Sequence, residues 1–280
     1  MRREEEEKIL HRLEEWEQRE GQLPQLVEVY RQLLLIQREA RSGLAAPKLS
    51  STDALRERLP QGVPLLSFQE LALDWAQVAN LVHEVADLVT EDSADAKNEV
   101  QALREIASNV ALLQEVVRLW YQGSSLTAIA AAQHVDDQLL TFVVGVALKP
   151  FLSAYCEVLL PLIDQELWRR GYCPICGGKP DFAFLDRERG ARWLLCSRCD
   201  AQWLFQRLGC PYCGNQKLNS LAYFTNDEGR YRLYVCEECR SYIKAIDLRR
   251  APSDVILPLE RILTLDMDRQ AQEAGYNKVL

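Results

Sequence analysis

Four Cys-x-x-Cys pairs fall between residues 171 and 280: Cys173/Cys176, Cys196/Cys199, Cys210/Cys213 and Cys236/Cys239. A two-residue spacing lets two thiolates converge on one ion, and two such turns complete a tetrahedral sulfur site. Eight thiols in four pairs therefore predict two tetrathiolate metal sites. One pair alone would fit a redox dithiol equally well; four in series do not.

The flanking residues order the pairs. Pro174 and Pro211 follow the first cysteine, where a fixed φ suits the tight turn. Gly177 and Gly214 follow the second, where positive φ turns backbone N–H groups toward the sulfurs. Cys196-Ser-Arg-Cys199 and Cys236-Glu-Glu-Cys239 lack these residues and read as the second knuckle of each site. Sequence order then gives site 1 as Cys173, Cys176, Cys196 and Cys199, and site 2 as Cys210, Cys213, Cys236 and Cys239; a crossed or nested pairing is the alternative. The intervening 19 residues (177–195) and 22 residues (214–235) suit a β-hairpin between knuckles, as in a zinc ribbon or rubredoxin-like module. The ten residues 200–209 read as the link between modules. Sulfur ligation suits zinc or a single iron, and ligand identity does not separate them. Either metal would staple a segment too short to bury much core by itself, or would carry electrons.

The elements that must hold these knuckles are strands. Phe182–Leu185, Arg192–Leu195, Leu221–Phe224 and Tyr231–Val235 are rich in β-formers, with turns at 186–190 and 227–229. Arg240–Asp247 reads as a closing strand, followed by a short helix at about Leu259–Ala274 and a loose tail after Gly275. Residues 1–170 read as all-helical. Helices are expected over Pro24–Arg41, from the Ser67–Glu70 capping box to Thr90, over Ala94–Tyr121, Leu126–Ala132 and Asp136–Leu148, and over Phe151–Arg170 with a kink at Pro161. Segments 42–66 and 122–125 read as loops. The fold class is thus α+β in two parts, an N-terminal all-α helical domain followed by tandem rubredoxin-like or zinc-ribbon tetracysteine metal modules. The expected boundaries are 1–170 for the helical domain, 171–207 and 208–250 for the two modules, and 251–280 for the C-terminal helix and tail.

Charge is uneven: residues 1–170 carry 17 Lys+Arg against 27 Asp+Glu, and residues 171–280 carry 16 against 14. An acidic front half argues for protein partners over nucleic acid, which needs a basic surface. The N-terminus shows no apolar stretch of the kind a secretory signal needs. The apolar region 139–163 is interrupted by Lys149, Pro150, Glu157 and Pro161 and reads as buried helix, not membrane insertion. Paired thiols without a signal fit a reducing cytoplasm. Cys156, the ninth cysteine, reads as a core filler. His11, His83 and His134 lie far apart, and there is no phosphate-cradling glycine loop or nucleophile elbow, so no catalytic residues are assigned and no enzyme is expected. Trp203 and Arg207, between the modules, are candidates for a partner-binding face; packing between modules and a local ion pair are the plainer reading.

Taken together, Cys173-Pro-Ile-Cys-Gly-Gly-Lys-Pro180, Cys196–Cys199, Trp203, Arg207, Cys210-Pro-Tyr-Cys-Gly214 and Cys236-Glu-Glu-Cys-Arg-Ser-Tyr-Ile-Lys244 resemble the formate dehydrogenase accessory protein FdhE family. A weaker likeness runs through the helical half at Tyr30-Arg31 and Ala147–Pro150. The chain departs from that pattern at Gln202, where an acidic residue is expected, and thinly matches it beyond Pro252. The resemblance implies a cytoplasmic maturation factor that binds the catalytic subunit of formate dehydrogenase during assembly, with rubredoxin-like iron at the Cys motifs. A rubredoxin-like electron-transfer protein is the alternative, and a nucleic-acid-binding ribbon protein stands behind it.

Overall fold

The computed structural model describes residues 3–47, 49, 52–90 and 97–279. Among these, the helices are α1 (Arg3–Glu20), α2 (Gln25–Ser42), α3 (Thr52–Gln61), α4 (Trp75–Thr90), α5 (Lys97–Ser108), α6 (Val110–Gln122), α7 (Thr127–Gln133), α8 (Asp137–Leu159), α9 (Leu257–Leu263) and α10 (Leu265–Glu273). The strands are β1 (Pro180–Leu185), β2 (Arg192–Cys196), β3 (Gln202–Phe205), β4 (Leu221–Thr225), β5 (Tyr231–Cys236) and β6 (Ser241–Asp247). An N-terminal helical region followed by a sheet region is the expected class. The chain divides into two compact units, one of Arg2–Lys48 with Ser67–Tyr155, the other of Leu49–Leu66 with Cys156–Leu280.

In the helical unit, apolar residues at helical spacing turn inward: Ile9 and Leu13 on α1, Val27, Leu33 and Leu34 on α2, Leu113, Val116 and Val117 on α6 are buried. Arg41 reaches Glu6 at 2.8 Å in a buried ion pair between α2 and α1. Several expected helix bounds are corrected. Ser67 and Glu70 do form the capping box, with the Ser67 N–H donating to the carboxylate at 2.8 Å, but it closes a 3-10 turn (Phe68–Glu70), and α4 begins at Trp75. The helix expected over Ala94–Tyr121 is two helices, because Asn109 caps α6 by accepting from Leu112 N–H; its expected start at Ala94 lies outside the described residues.

The expected break between Leu148 and Phe151 is absent: α8 runs on through Pro150. Proline has no N–H, so the carbonyl four residues earlier, Val146, loses its helical donor. The buried Gln37 side chain supplies the substitute, donating Nε2–H to Val146 O at 3.1 Å. The helix ends instead where Pro161 enters a 3-10 turn (Leu160–Leu162), and no helix spans 163–170. The stretch Asp137–Leu162 is long and apolar enough to cross a membrane, but 61% of its most apolar window is buried in the fold, which marks a core helix.

The other unit is built on one six-stranded sheet of order β3-β2-β1-β6-β5-β4. Each Cys module contributes a three-stranded antiparallel meander, and β1 and β6 join the two by parallel pairing from Phe182↔Lys244 to Leu185↔Asp247. The segment 200–209 is thus more than a link, since it contains β3. C-terminal residues cover one sheet face. Val255 and Leu257 pack on Phe182, Phe184, Leu195 and Ile246, and Met267, Ala271 and Tyr276 pack with Leu233, Val235 and Tyr242. The tail after Gly275 is therefore anchored: Tyr276 is buried and Asn277 bridges to Ser241. The helix expected over Leu259–Ala274 is two, α9 and α10, interrupted at Thr264.

Candidate metal centre

The sheet repeats one pattern twice, knuckle, strand, strand, knuckle, strand, so each hairpin brings its two knuckles to one end. Cys173, Cys176, Cys196 and Cys199 lie with all Sγ atoms within 4.8 Å of one another, as do Cys210, Cys213, Cys236 and Cys239. These are the quartets of sequence order, not of a crossed pairing. Sulfur–sulfur distances are 3.6 Å for Cys173–Cys199, 3.5 Å for Cys176–Cys196, 3.6 Å for Cys210–Cys239 and 3.7 Å for Cys213–Cys236. Four thiolates about 2.3 Å from a tetrahedral ion stand roughly 3.8 Å apart. All nine cysteines are free thiols, and the separations are far from the ~2 Å of a disulfide.

The knuckles share a backbone. Gly177 N–H donates to Cys173 O and Gly214 N–H to Cys210 O, both at 3.0 Å, with φ of +72° and +74° at the glycines. Asp200 and Arg240, which follow the second cysteine of the other two knuckles, adopt the same left-handed turn at φ +55° and +53°. That position recurs in all four knuckles, and only two of them are glycine. Ile175 N–H points at Cys173 Sγ and Arg198 N–H at Cys196 Sγ, each at 3.4 Å, and Asn215 Nδ2 reaches Cys236 Sγ at 3.7 Å. Such donors favour the thiolate.

Electrostatics within each quartet show why a cation fits. Burial opposes ionisation of Cys199, but contacts from Cys156, Cys173 and Cys176 bring it down to about 6. Burial, then its three neighbours, push Cys173 well up. In the second quartet, burial opposes ionisation of Cys236, yet donors from Cys239 N–H and the Asn215 amide bring it down to about 7, while burial first of all pushes Cys210 up. In each quartet one thiol is thus drawn toward ionisation and another pushed away from it. A divalent cation is what allows four clustered sulfurs to be thiolates together. The donor set fits zinc or iron alike.

The two centres differ in surroundings. All four sulfurs of the first are buried, whereas Cys213 is exposed and Cys239 half-buried in the second. The first is clamped from a segment expected to be loop: Leu65 and Leu66 N–H donate to the knuckle carbonyls of Pro174 and Ile175, both at 2.9 Å. Tyr172 Oη adds a bond to Gly62 O at 2.9 Å. Cys156 is buried as expected, but it lies close enough to Cys199 for the two thiols to bear on each other's ionisation, which nothing in its sequence surroundings signals. Gly171 marks where the two modules meet: a Cβ there would lie 1.8 Å from Pro211 O.

The other candidates separate clearly. Trp203 is fully enclosed and its indole N–H donates to Arg170 O at 2.8 Å, so it offers a partner no surface. Arg207 is exposed at the rim of a cleft beside the second quartet. Trp193 stacks on Phe184, and Tyr242 is buried with its hydroxyl on Asp268, both as hairpin packing. His11, His83 and His134 belong to neither quartet.

Comparison with known proteins gives a consistent likeness. A family model described as "FdhE, central domain" matches residues 172–207, the first quartet and its strands. The chain is 32% identical over 231 residues to a protein FdhE homolog of Aquifex aeolicus, covering 80% of this chain and 75% of that one. It is 33% identical over 144 residues to a protein FdhE homolog of Stutzerimonas stutzeri, covering 47% of each. The crystal structure of the FdhE protein from Pseudomonas aeruginosa superposes with a TM-score of 0.63 at 21% identity, over 98% of this chain and 92% of that one. That likeness extends the shared fold to the helical region.

Proposed function

The chain belongs to the FdhE family, and from that premise we propose that it is a nonenzymatic accessory protein of formate dehydrogenase maturation. It acts in the cytoplasm and engages the catalytic subunit while that subunit is assembled. The observation that carries this reading is the pair of cysteine quartets in one sheet, each with the spacing of a tetrathiolate centre. Cys173, Cys176, Cys196 and Cys199 hold one ion and Cys210, Cys213, Cys236 and Cys239 the other. The metals would hold eight knuckle residues and the strands between them in one shape. This chain's own residues supply the donors to sulfur and the backbone clamps that keep each quartet convergent. The acidic helical region offers the docking surface.

Deleting the gene tests this. The strain should lose formate dehydrogenase activity while still making the polypeptide, and wild-type protein should restore activity and co-purify with the catalytic subunit. Normal activity in the deletion strain contradicts the proposal.

The exposure of Cys213 favours a second reading, in which Cys210, Cys213, Cys236 and Cys239 would hold an iron that would supply electron transfer at that exposed edge. A reduction potential within the cellular range and turnover as a carrier would support it. Zinc in both centres of protein from iron-replete cells would exclude it.

A further inference from the structure

A small open cleft lies beside the second quartet, between the sheet and the 206–212 segment. Its walls include Arg192, Arg207, Leu208, Tyr212, Tyr223 and Tyr234. Arg192, on β2, is 2% exposed. It donates Nη1–H to Gly209 O at 3.0 Å, and its guanidinium stands 4.5 Å from the Tyr234 ring centre. Its Nε and Nη2 are buried without a hydrogen-bond partner. Among the described residues no carboxylate pairs with it; nearby Asp247 is taken by Arg232 and Arg249. A buried, unpaired guanidinium is costly, and burial works against its charge.

We propose that this cleft is a carboxylate-binding site, with Arg192 as its anchor, Arg207 at its rim and the tyrosines as its walls. The Nε–Nη2 edge of a guanidinium presents two parallel N–H donors, the geometry that a carboxylate accepts in bidentate fashion. Cys210 and Cys236 of the second quartet also line the cleft, so a monoanion meets less repulsion there than a phosphate dianion does. Leu208 and Tyr223 are exposed, 59% and 54%, and form the solvent side of the cleft wall. The carboxylate can be a free small acid or an acidic side chain of a bound polypeptide. The inference goes beyond the proposed function and stands without it.

Equilibrium dialysis of the metal-loaded full chain against radiolabelled acetate tests it, with phosphate and a blocked five-residue peptide bearing one central glutamate as competitors. Saturable acetate binding is expected, weakened about tenfold or more in Arg192→Gln and several-fold in Arg207→Ala. A peptide that displaces acetate at lower concentration than acetate itself assigns the site to a polypeptide; acetate binding that the peptide leaves untouched assigns it to a free acid. Arg207→Ala alters only an exposed side chain, so its effect can be read if Arg192→Gln fails to fold. No saturable binding of acetate or peptide overturns the proposal. So does phosphate competing as well as acetate, or binding unchanged in the variants that fold.

Discussion

Arg261, on α9, donates Nη1–H to the carboxylate of Asp200 at 2.9 Å, and Asp200 is the left-handed residue that follows the last cysteine of the first quartet. The same guanidinium donates to the Cys196 carbonyl at 3.0 Å and lies 3.0 Å from the Asp181 carboxylate. One arginine near the C-terminus thus grips both ends of the second knuckle and the start of β1. A left-handed φ costs a non-glycine residue about 1–2 kcal/mol, and the arginine ties the side chain of the residue that bears this cost.

Arg261→Ala removes this guanidinium from two largely buried carboxylates, Asp181 and Asp200. A loss of about 3–5 kcal/mol in urea unfolding is expected, with metal release faster from the first centre and unchanged from the second. A loss below about 1 kcal/mol would reduce the arginine to a surface ion pair.

The second centre should surrender metal first. Cys213 is exposed and Cys239 half-buried, whereas the first quartet is wholly enclosed. A chromophoric chelator should therefore extract metal in two phases of equal amplitude. Cys213→Ser should abolish the fast phase alone; loss of the slow phase would reverse the assignment.

Gln37→Leu should destabilise the helical unit by roughly 1–3 kcal/mol, the cost of a buried carbonyl left without a donor. Metal content should not change. Unchanged thermal unfolding of that unit would show that Val146 finds another donor.

Asp247 sets an acid limb. Hydrogen bonds from Arg249 chiefly, with Arg232 adding to them, hold its carboxyl below the usual carboxylate range. Its stabilising effect is present above the unfolded value of about 3.9 and is lost as pH falls through the lower folded value. The stability difference between wild type and Asp247→Asn, followed by urea unfolding, should be constant from neutral pH to about 5 and shrink below about 4. A difference that widens on acidification would give the shift the opposite sign.

The quartets were legible because metal ligation imposes a short, rigid spacing that survives in the sequence as Cys-x-x-Cys. The hairpin strands were legible too, through β-formers bounded by turn residues. The grips around them were not. Leu65 and Leu66 bind the first knuckle through backbone N–H groups, which carry no residue signature. Arg261 sits 61 positions from Asp200, and nothing local marks it as a partner. Pro150 misleads for a related reason: the amide that compensates for it belongs to Gln37, 109 residues from the carbonyl it rescues. Local rules read what neighbours dictate, and tertiary contacts supplied the rest.

Metal stoichiometry on protein purified anaerobically is the most direct test of the two-centre account. Two metal ions per chain are expected, falling to one in Cys173→Ser and to one in Cys210→Ser, with helical circular dichroism largely retained. Two ions retained in either variant, or none in the wild type, would contradict it.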